Sequence, residues 1–242
     1  MSEFEFKAID QEGMETLEAI SQAVNFNRWM YKTIAPFCKG KILEIGSGIG
    51  NISSQFIESN QKITVSDIRE NYCSYLTDHF DHKVEDVINL DIIDPDFEEK
   101  HREIIGSFDT VFALNIVEHV EDDGLAIANC KKLLKENGNL VILVPAYQSL
   151  YNRFDKELEH YRRYSLKGLV SLFDKNNFQI VHKQYFNFVA IMGWWFSGSI
   201  LRKKTIPEGQ MKIFDKLVPL FKLIDKLLLN KIGISAIVVG KK

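Results

Sequence analysis

The sequence predicts an α/β protein built on a doubly wound, mostly parallel β-sheet. Short apolar segments typical of buried strands alternate with segments of helical periodicity. The first of these strands runs into a glycine-rich turn and then a helix, which is the order expected at the start of such a sheet. With 242 residues, the chain is long enough for one sizeable domain with additional elements.

Composition narrows the class of protein. The net charge of −3 provides no overall attraction to nucleic acid. The three cysteines, Cys38, Cys73 and Cys130, are widely spaced and form no C-x-x-C pair, which favours a reducing compartment over a disulfide framework. Residues 1–10 lack the apolar core of a signal peptide, and no segment reaches the roughly 18 apolar residues of a membrane span. We therefore expect a cytoplasmic protein.

The glycine-rich turn is the most informative motif. Glu44 lies near the end of the first strand, and Gly46, Ser47, Gly48 and Gly50 follow in the turn. Glycine permits a tight turn and lets a ligand approach the backbone, and the helix that follows offers free N–H groups. The turn therefore predicts a binding site for a nucleotide-like ligand.

The spacing of the glycines separates two kinds of nucleotide-like ligand. The dinucleotide fingerprint G-x-G-x-x-G requires a third glycine where this chain has Asn51. The observed pattern, an acidic residue followed by one spacer and G-x-G-x-G, resembles the first motif of the class I S-adenosylmethionine (SAM)-dependent methyltransferases. The resemblance implies SAM as cofactor. It also implies a seven-stranded, Rossmann-like sheet whose last strand, here residues 235–239, is antiparallel and lies beside the sixth, residues 178–186.

The second and third strands carry further expected cofactor contacts. Asp67 and Ile68 follow the second strand, and an acidic side chain at this place accepts hydrogen bonds from ribose hydroxyls. The alternative role for Asp67 is a helix N-cap. In the third strand, residues 84–94, the resemblance implies that Asp91 takes the adenine amino group and that Ile92 packs on the ring. The alternative there is a solvated acidic loop.

Two more segments complete the predicted cofactor site. Residues 14–36 have helical periodicity, and the resemblance places Trp29 over SAM with Arg28 at its carboxylate. The alternative puts Trp29 in the core and Arg28 in solvent. The fourth strand leads into Asn115, whose backbone would face the methionine part of SAM. His119 follows in a Glu-His pair and is a candidate catalytic residue near the methyl group, unless it caps or packs the next helix.

The segment after the fifth strand is the most distinctive. Residues 147–165 are too many for an ordinary connection, and loops beyond the carboxyl ends of parallel strands hold substrates. The segment resembles a His-x-Arg-Arg-Tyr-Ser element of some bacterial small-molecule methyltransferases. His160 is the second candidate catalytic residue, and adjacent arginines suit a carboxylate or phosphate on the acceptor. The alternative is a surface ion-pair network with neighbouring acidic residues. The predicted substrate-binding residues are Tyr147, Tyr151, Tyr161, Arg162, Arg163 and Tyr164.

An insertion separates the sixth and the last strand. Its second half, residues 211–229, places Phe214, Leu217 and Phe221 on one helical face. Three roles are open for this segment: internal packing, a cap over an apolar substrate, or membrane-surface contact through residues 188–229. We expect a single domain made of an N-terminal helical cap, a cofactor-binding core, the insertion and a final strand. The expected boundaries are 1–38, 39–186, 187–231 and 232–242.

These observations predict methyl transfer from SAM to a small-molecule acceptor, at an oxygen on or near an anionic group. No nucleic-acid partner is expected, because the Asn/Asp-Pro-Pro-aromatic motif of DNA and RNA amino-methyltransferases is absent after the fourth strand. No residues occur at recognisable metal-ligand spacing, so no metal is predicted. An NAD(P)-dependent oxidoreductase and a non-catalytic binding module with a SAM fold are the alternatives.

Overall fold

A computed structural model describes residues 11–200 and 208–242 of the chain. Its centre is a seven-stranded sheet in the order β3-β2-β1-β4-β5-β7-β6. The last strand, β7, runs antiparallel to both β5 and β6, whereas the other neighbouring strands are parallel. The predicted placement of the final strand is therefore confirmed. The strands are β1 Ile42–Ile45, β2 Ile63–Asp67, β3 Asp86–Asn89, β4 Phe108–Leu114, β5 Leu134–Pro145, β6 Gln179–Phe186 and β7 Ser235–Lys241.

Helices cover both faces of this sheet, as the doubly wound class requires. Neighbouring residues of β4 show the two faces, because Val111 packs in one hydrophobic core and Phe112 in the other. The helices are α1 Gln11–Ser21, α2 Val24–Ile34, α3 Ser53–Glu58, α4 Glu70–Phe80, α5 Phe97–Lys100, α6 Asp123–Leu133, α7 Arg153–Glu157, α8 Leu166–Lys175, α9 Ala190–Trp194 and α10 Glu208–Leu227. The first core contains side chains of α6 and α8, and the second contains side chains of α2, α3 and α10.

Two predicted elements differ from the observed ones. The single helix predicted over residues 14–36 is two helices, α1 and α2. The third strand, predicted over residues 84–94, is limited to β3. The helix α6 ends at Leu133, because Leu134 already pairs with Phe108 of β4 before a register shift.

The insertion packs on the rest of the protein through α10. Asp215 of this helix accepts hydrogen bonds from the backbone N–H of Phe26, at 2.8 Å, and from the side-chain amide of Asn25, at 3.1 Å. Phe221 is buried, but Leu217, predicted on the same face, is 44% exposed. None of the described helices is long and apolar enough to cross a membrane. Membrane-surface contact through residues 188–229 stays a prediction, and residues 201–207 of that range lie outside the described part.

Candidate active site

A cavity of about 980 Å³ opens at the carboxyl ends of the parallel strands. Its floor includes the turn after β1 and the residues that follow β2 and β4, which is where ligands bind in open α/β sheets. The helix α1 and the insertion supply the opposite wall through Leu17, Trp194 and Phe214. The volume lies near the top of the roughly 300–1,000 Å³ found for small-molecule sites, so it accommodates a cofactor and a small second ligand.

The turn after β1 follows a path that only glycine takes without strain. Gly46 has a φ of 69°, and a Cβ built there would lie 2.1 Å from Cδ1 of Ile116. The backbone N–H of Ser47 donates to the carbonyl of Ser66 in β2 at 2.8 Å, which fixes the turn to the neighbouring strand. The backbone of the turn therefore lies directly against the cavity, because its glycines place no side chain between them.

Glu44 supports this turn from below. Its carboxylate accepts a short hydrogen bond from the hydroxyl of Ser53, at the start of α3. Burial raises the pKa of Glu44 to about 8, and the hydroxyls of Ser53 and Ser47 only partly oppose this. At neutral pH the carboxyl group is therefore mostly protonated in the folded protein.

Asp67, at the end of β2, is hydrogen-bonded to the glycine turn. Its Oδ2 accepts from the backbone N–H of Gly48 and its Oδ1 from that of Arg69, each at 3.0 Å. Burial raises the pKa of Asp67, while hydrogen bonds from the backbone N–H groups of Arg69, Gly48 and Ile68 oppose this rise. A carboxylate has about four acceptor positions, so an acceptor position is left for a ligand in the cavity. The helix α4 receives no side-chain N-cap, which removes the alternative role considered for Asp67.

The ends of β3 and β4 form the next part of the wall. Asp91 and Ile92 both line the cavity, and Oδ1 of Asp91 accepts from the backbone N–H of Ile93 at 2.9 Å. Asn115 follows β4 with a φ of 56° and also faces the cavity. This positive φ turns the chain away from the sheet edge, and the 3₁₀ turn Val117–His119 follows.

This turn presents Glu118 and His119 to the cavity beside His160. Glu118 is fully buried, and neither of its carboxylate oxygens has a hydrogen-bond partner among the described residues. Burial raises the pKa of Glu118 to about 8. The rings of His119 and His160 lie 4.6 Å apart between centroids, at an interplanar angle of 87°. Although the His119 ring is open to the cavity, the surrounding protein and the His160 ring lower the pKa of its imidazole.

Asp155 holds His160 in place. Its Oδ1 lies 2.9 Å from Nδ1 of His160 and 2.7 Å from Nε of Arg163, and all three side chains are buried. Burial acts to raise the pKa of Asp155, but His160 and Arg163 lower it overall. An ionised Asp155 accepts a hydrogen bond from Nδ1–H of His160, so Nε2 is left for other contacts.

Comparison with known proteins shows which family part of the chain resembles. Residues 43–140, less than half of the chain, match the family model described as a methyltransferase domain. This match and the solved methyltransferases that share the fold agree with the predicted SAM cofactor. The predicted seven-stranded sheet is confirmed by the structure itself.

Individual relatives are distant. A ubiquinone biosynthesis O-methyltransferase of Pseudomonas aeruginosa is 29% identical over 102 residues, which are 42% of this chain and 43% of that protein, so the match spans less than half of the relative. A SAM-dependent methyltransferase of Archaeoglobus fulgidus shares the fold with a TM-score of 0.58 and 18% identity, over 89% of this chain and 94% of that one. Phosphoethanolamine N-methyltransferase 2 of Haemonchus contortus, solved with SAM, has a TM-score of 0.58 and 19% identity, over 90% of this chain and 52% of that one.

Most of the predicted cofactor residues line the cavity. Trp29 and Gly50 are the exceptions. Trp29 packs in the core, with its ring centroid 4.4 Å from that of Phe186, so the core alternative describes it correctly. Gly50 lies beneath the turn, where an added Cβ would be 2.4 Å from Cζ of Phe80. The predicted residues that line the cavity are Glu44, Gly46, Ser47, Gly48, Asp67, Ile68, Asp91, Ile92 and Asn115.

Most of the predicted substrate-binding residues contact other residues of the protein and do not line the cavity. Arg162 pairs with Asp123 at 2.9 Å, and the hydroxyl of Tyr164 donates to the same carboxylate at 2.9 Å. Arg163 does border the cavity, but its guanidinium is held by Asp155. Of the other predicted residues, Tyr161 lines the cavity, whereas Tyr147 stacks on Tyr185 and Tyr151 donates to the carbonyl of His160.

The structure also adds residues to the site. Glu118 and Asp155 were not predicted as functional, although each is close in sequence to a candidate histidine. The absence of a metal site stays a prediction, but ligand atoms of Glu118, His119 and His160 lie within 4.8 Å of one another. No local spacing shows this set, since His160 comes from a segment distant in sequence. Phe154 was also missed, whereas Trp194, Met211 and Phe214 lie in the insertion, for which a cap over an apolar substrate was one of three open roles.

Proposed function

We propose that this protein transfers the methyl group of SAM to an oxygen atom of a small molecule with an apolar body. The observation that carries the proposal is one cavity lined by two different groups of polar residues. We call the glycine turn and Asp67 the cofactor end, and Glu118, His119 and His160 the acceptor end. The lining also includes Phe154, Trp194 and other apolar side chains.

The predicted cofactor residues support a specific placement of SAM. Asp67 would accept from its ribose hydroxyls, Asp91 and Ile92 would hold its adenine, and the turn and Asn115 would hold its methionine part. SAM would supply the methyl group, and His119 and His160 line the same cavity. The protein contributes mainly alignment and exclusion of water, which can supply on the order of 7–11 kcal/mol.

The chemical step is an in-line displacement. A lone pair of the acceptor oxygen forms the new bond to the methyl carbon, and the carbon–sulfur bond breaks with its electron pair going to sulfur. The proton of an acceptor hydroxyl leaves to Nε2 of His160, whose other nitrogen faces Asp155 at 2.9 Å. The name of the curated relative, an O-methyltransferase, supports oxygen as the acceptor atom. Because Arg162 and Arg163 are both paired with aspartates, they give no support to an anionic group beside that oxygen.

Calorimetry and a turnover assay test this function. We expect S-adenosylhomocysteine to bind with one site per chain and NAD to give no heat, and we expect S-adenosylhomocysteine to form from SAM with members of a panel of small phenols and alcohols. His160→Asn should retain cofactor affinity and lose about 100-fold or more in kcat. His182→Asn is the matched control, because this ring contacts Gln184 and Phe37 away from the cavity. Cofactor binding without turnover on any acceptor would favour the non-catalytic module, and NAD binding would favour the oxidoreductase.

A further inference from the structure

We propose that Glu118, His119 and His160 bind a divalent transition-metal ion at the acceptor end of the cavity. One carboxylate oxygen and one nitrogen from each ring lie within 4.8 Å of one another. Ligand atoms about 2.0–2.2 Å from one ion are roughly 3.3 Å apart, so small side-chain rotations bring this set together. The binding of the ion is independent of the function proposed above, whereas its role in the reaction rests on that function.

The unpartnered carboxylate of Glu118 is the strongest sign of a missing ligand. The side chain is fully buried, yet both oxygens lack hydrogen-bond partners among the described residues. Buried polar groups are normally paired, and buried carboxylates are paired with a cation or bound to a metal. The nearby guanidinium of Arg163 does not meet this need, because it bonds Asp155 and the carbonyl of Ala146. A metal ion would supply the absent counter-charge.

The two histidines have the outer contacts that metal-binding imidazoles have. Metal ligands of this type usually direct their other ring nitrogen to a carboxylate or a backbone carbonyl, which fixes the ring. Asp155 does this for His160 at Nδ1, and the backbone of Leu158 lies beside the ring of His119. Since Asp155 and Arg163 neutralise each other, their pair adds no net repulsion toward a cation.

The ligand types select the class of ion. Two imidazoles and one carboxylate suit zinc, cobalt, iron or manganese, whereas magnesium and calcium prefer oxygen ligands alone. Three protein ligands leave coordination positions open. These positions face the cavity, because the His119 ring is open to it.

An ion bound by these three residues would offer an open coordination position to the acceptor oxygen. It would bind the acceptor hydroxyl and lower its pKa, so that the proton passes to solvent and the imidazoles act as ligands rather than as bases. Methyl transfer then proceeds with the same bond changes, from sulfur to oxygen. Metal binding and proton acceptance by His160 are thus two distinguishable roles for the same residue.

Titration with cobalt tests the proposal without any activity measurement. The protein, with affinity tag removed, is treated with a chelator, dialysed and titrated with Co²⁺ while visible absorption is recorded, and Zn²⁺ is titrated by calorimetry. We expect one ion per chain, ligand-field bands in the visible region, and a higher melting temperature with Zn²⁺. Glu118→Gln and His119→Asn should each weaken binding by tenfold or more and remove the shift in melting temperature. Glu121→Gln is the matched control, because Glu121 lines the same cavity outside the three-residue set.

Two results would overturn the metal site. One is the absence of stoichiometric Co²⁺ and Zn²⁺ binding by folded wild-type protein. The other is equal binding by wild type, Glu118→Gln and His119→Asn, each shown to be folded by circular dichroism, since this would place the ion elsewhere. Turnover in excess chelator with unchanged kcat would remove its role in the reaction while leaving methyl transfer intact. Loss of S-adenosylhomocysteine binding would instead refute the proposed function, whatever the metal result.

Discussion

Replacing Asp67 by asparagine tests the proposed cofactor position most directly. The carboxylate already accepts from two backbone N–H groups, those of Gly48 and Arg69, at 3.0 Å each. Asparagine keeps one acceptor oxygen and turns the other into an NH₂ donor, which would face a donor of the turn. It also removes one of the charged acceptors offered to the ribose. A hydrogen bond to a charged group contributes about 1.5–3 kcal/mol, so we expect the Kd of S-adenosylhomocysteine to rise by roughly 10- to 150-fold.

Isothermal titration calorimetry measures this change, and circular dichroism shows whether the variant is folded. Asp86→Asn is a suitable control, because Asp86 lies on the neighbouring strand β3, is exposed, and accepts only from the backbone N–H of Val87. We expect its affinity to match that of wild type. A folded Asp67→Asn variant that binds S-adenosylhomocysteine within twofold of wild type would show that Asp67 closes the turn without contacting the ribose.

Three further substitutions test how the site is held. Gly46→Ala should lower stability and cofactor affinity more than Gly106→Ala. Both glycines have positive φ, but only a Cβ at Gly46 would meet a neighbouring side chain, that of Ile116. The backbone strain alone is worth about 1–2 kcal/mol at either position, and thermal unfolding measures the difference between the variants. Glu44 should make the free energy of unfolding fall by roughly 3 kcal/mol between pH 5.5 and 8, because its folded-state pKa of about 8 exceeds the ordinary 4.5 and unfolding releases a proton in this window. Glu118 has a similarly raised pKa, so urea titrations should show a fall in Glu44→Gln as well, but one smaller by this amount than in wild type. Arg163→Met should destabilise the protein by about 3–5 kcal/mol, because it leaves the buried carboxylate of Asp155 without its cation. Arg162→Met should cost under about 1 kcal/mol, because the Arg162 side chain is 31% exposed. Similar urea midpoints for the two variants would contradict this difference.

The cofactor end of the cavity is predictable from sequence because its positions follow from local order. A residue after a parallel strand lies at the carboxyl edge of the sheet, whatever the rest of the chain does. Asp67, Asp91 and Asn115 each follow such a strand, and all three line the cavity. Trp29 does not follow a strand. Its position depends on how α2 rotates against β6, and its contact with Phe186 is a matter of packing that no motif records.

The acceptor end could be predicted only in part. Many of its side chains come from an extended segment, and the sequence does not show to which side of that segment each side chain points. Tyr164 forms a parallel bridge with Ala146. Successive side chains of an extended segment point to opposite sides. Arg162 and Tyr164 therefore reach Asp123, while Arg163 turns toward Asp155 and Trp194. Two adjacent arginines look equivalent in the sequence, but only one is buried.

The two ends of the cavity depend on different parts of the chain. Several backbone contacts connect the acceptor end to the sheet and its strand ends: the N–H of Tyr164 donates to the carbonyl of Pro145 at 2.9 Å, and the N–H of Tyr161 donates to the carbonyl of Glu118 at 2.8 Å, which brings His160 beside the turn after β4. The glycine turn and Asp67 take no part in these contacts, because their hydrogen bonds run between β1 and β2. Changes in the segment after β5 can therefore alter the acceptor end while leaving the cofactor end intact. This separation explains physically how one sheet of this kind can serve different second ligands, because the loops beyond it change while the strand ends keep their positions.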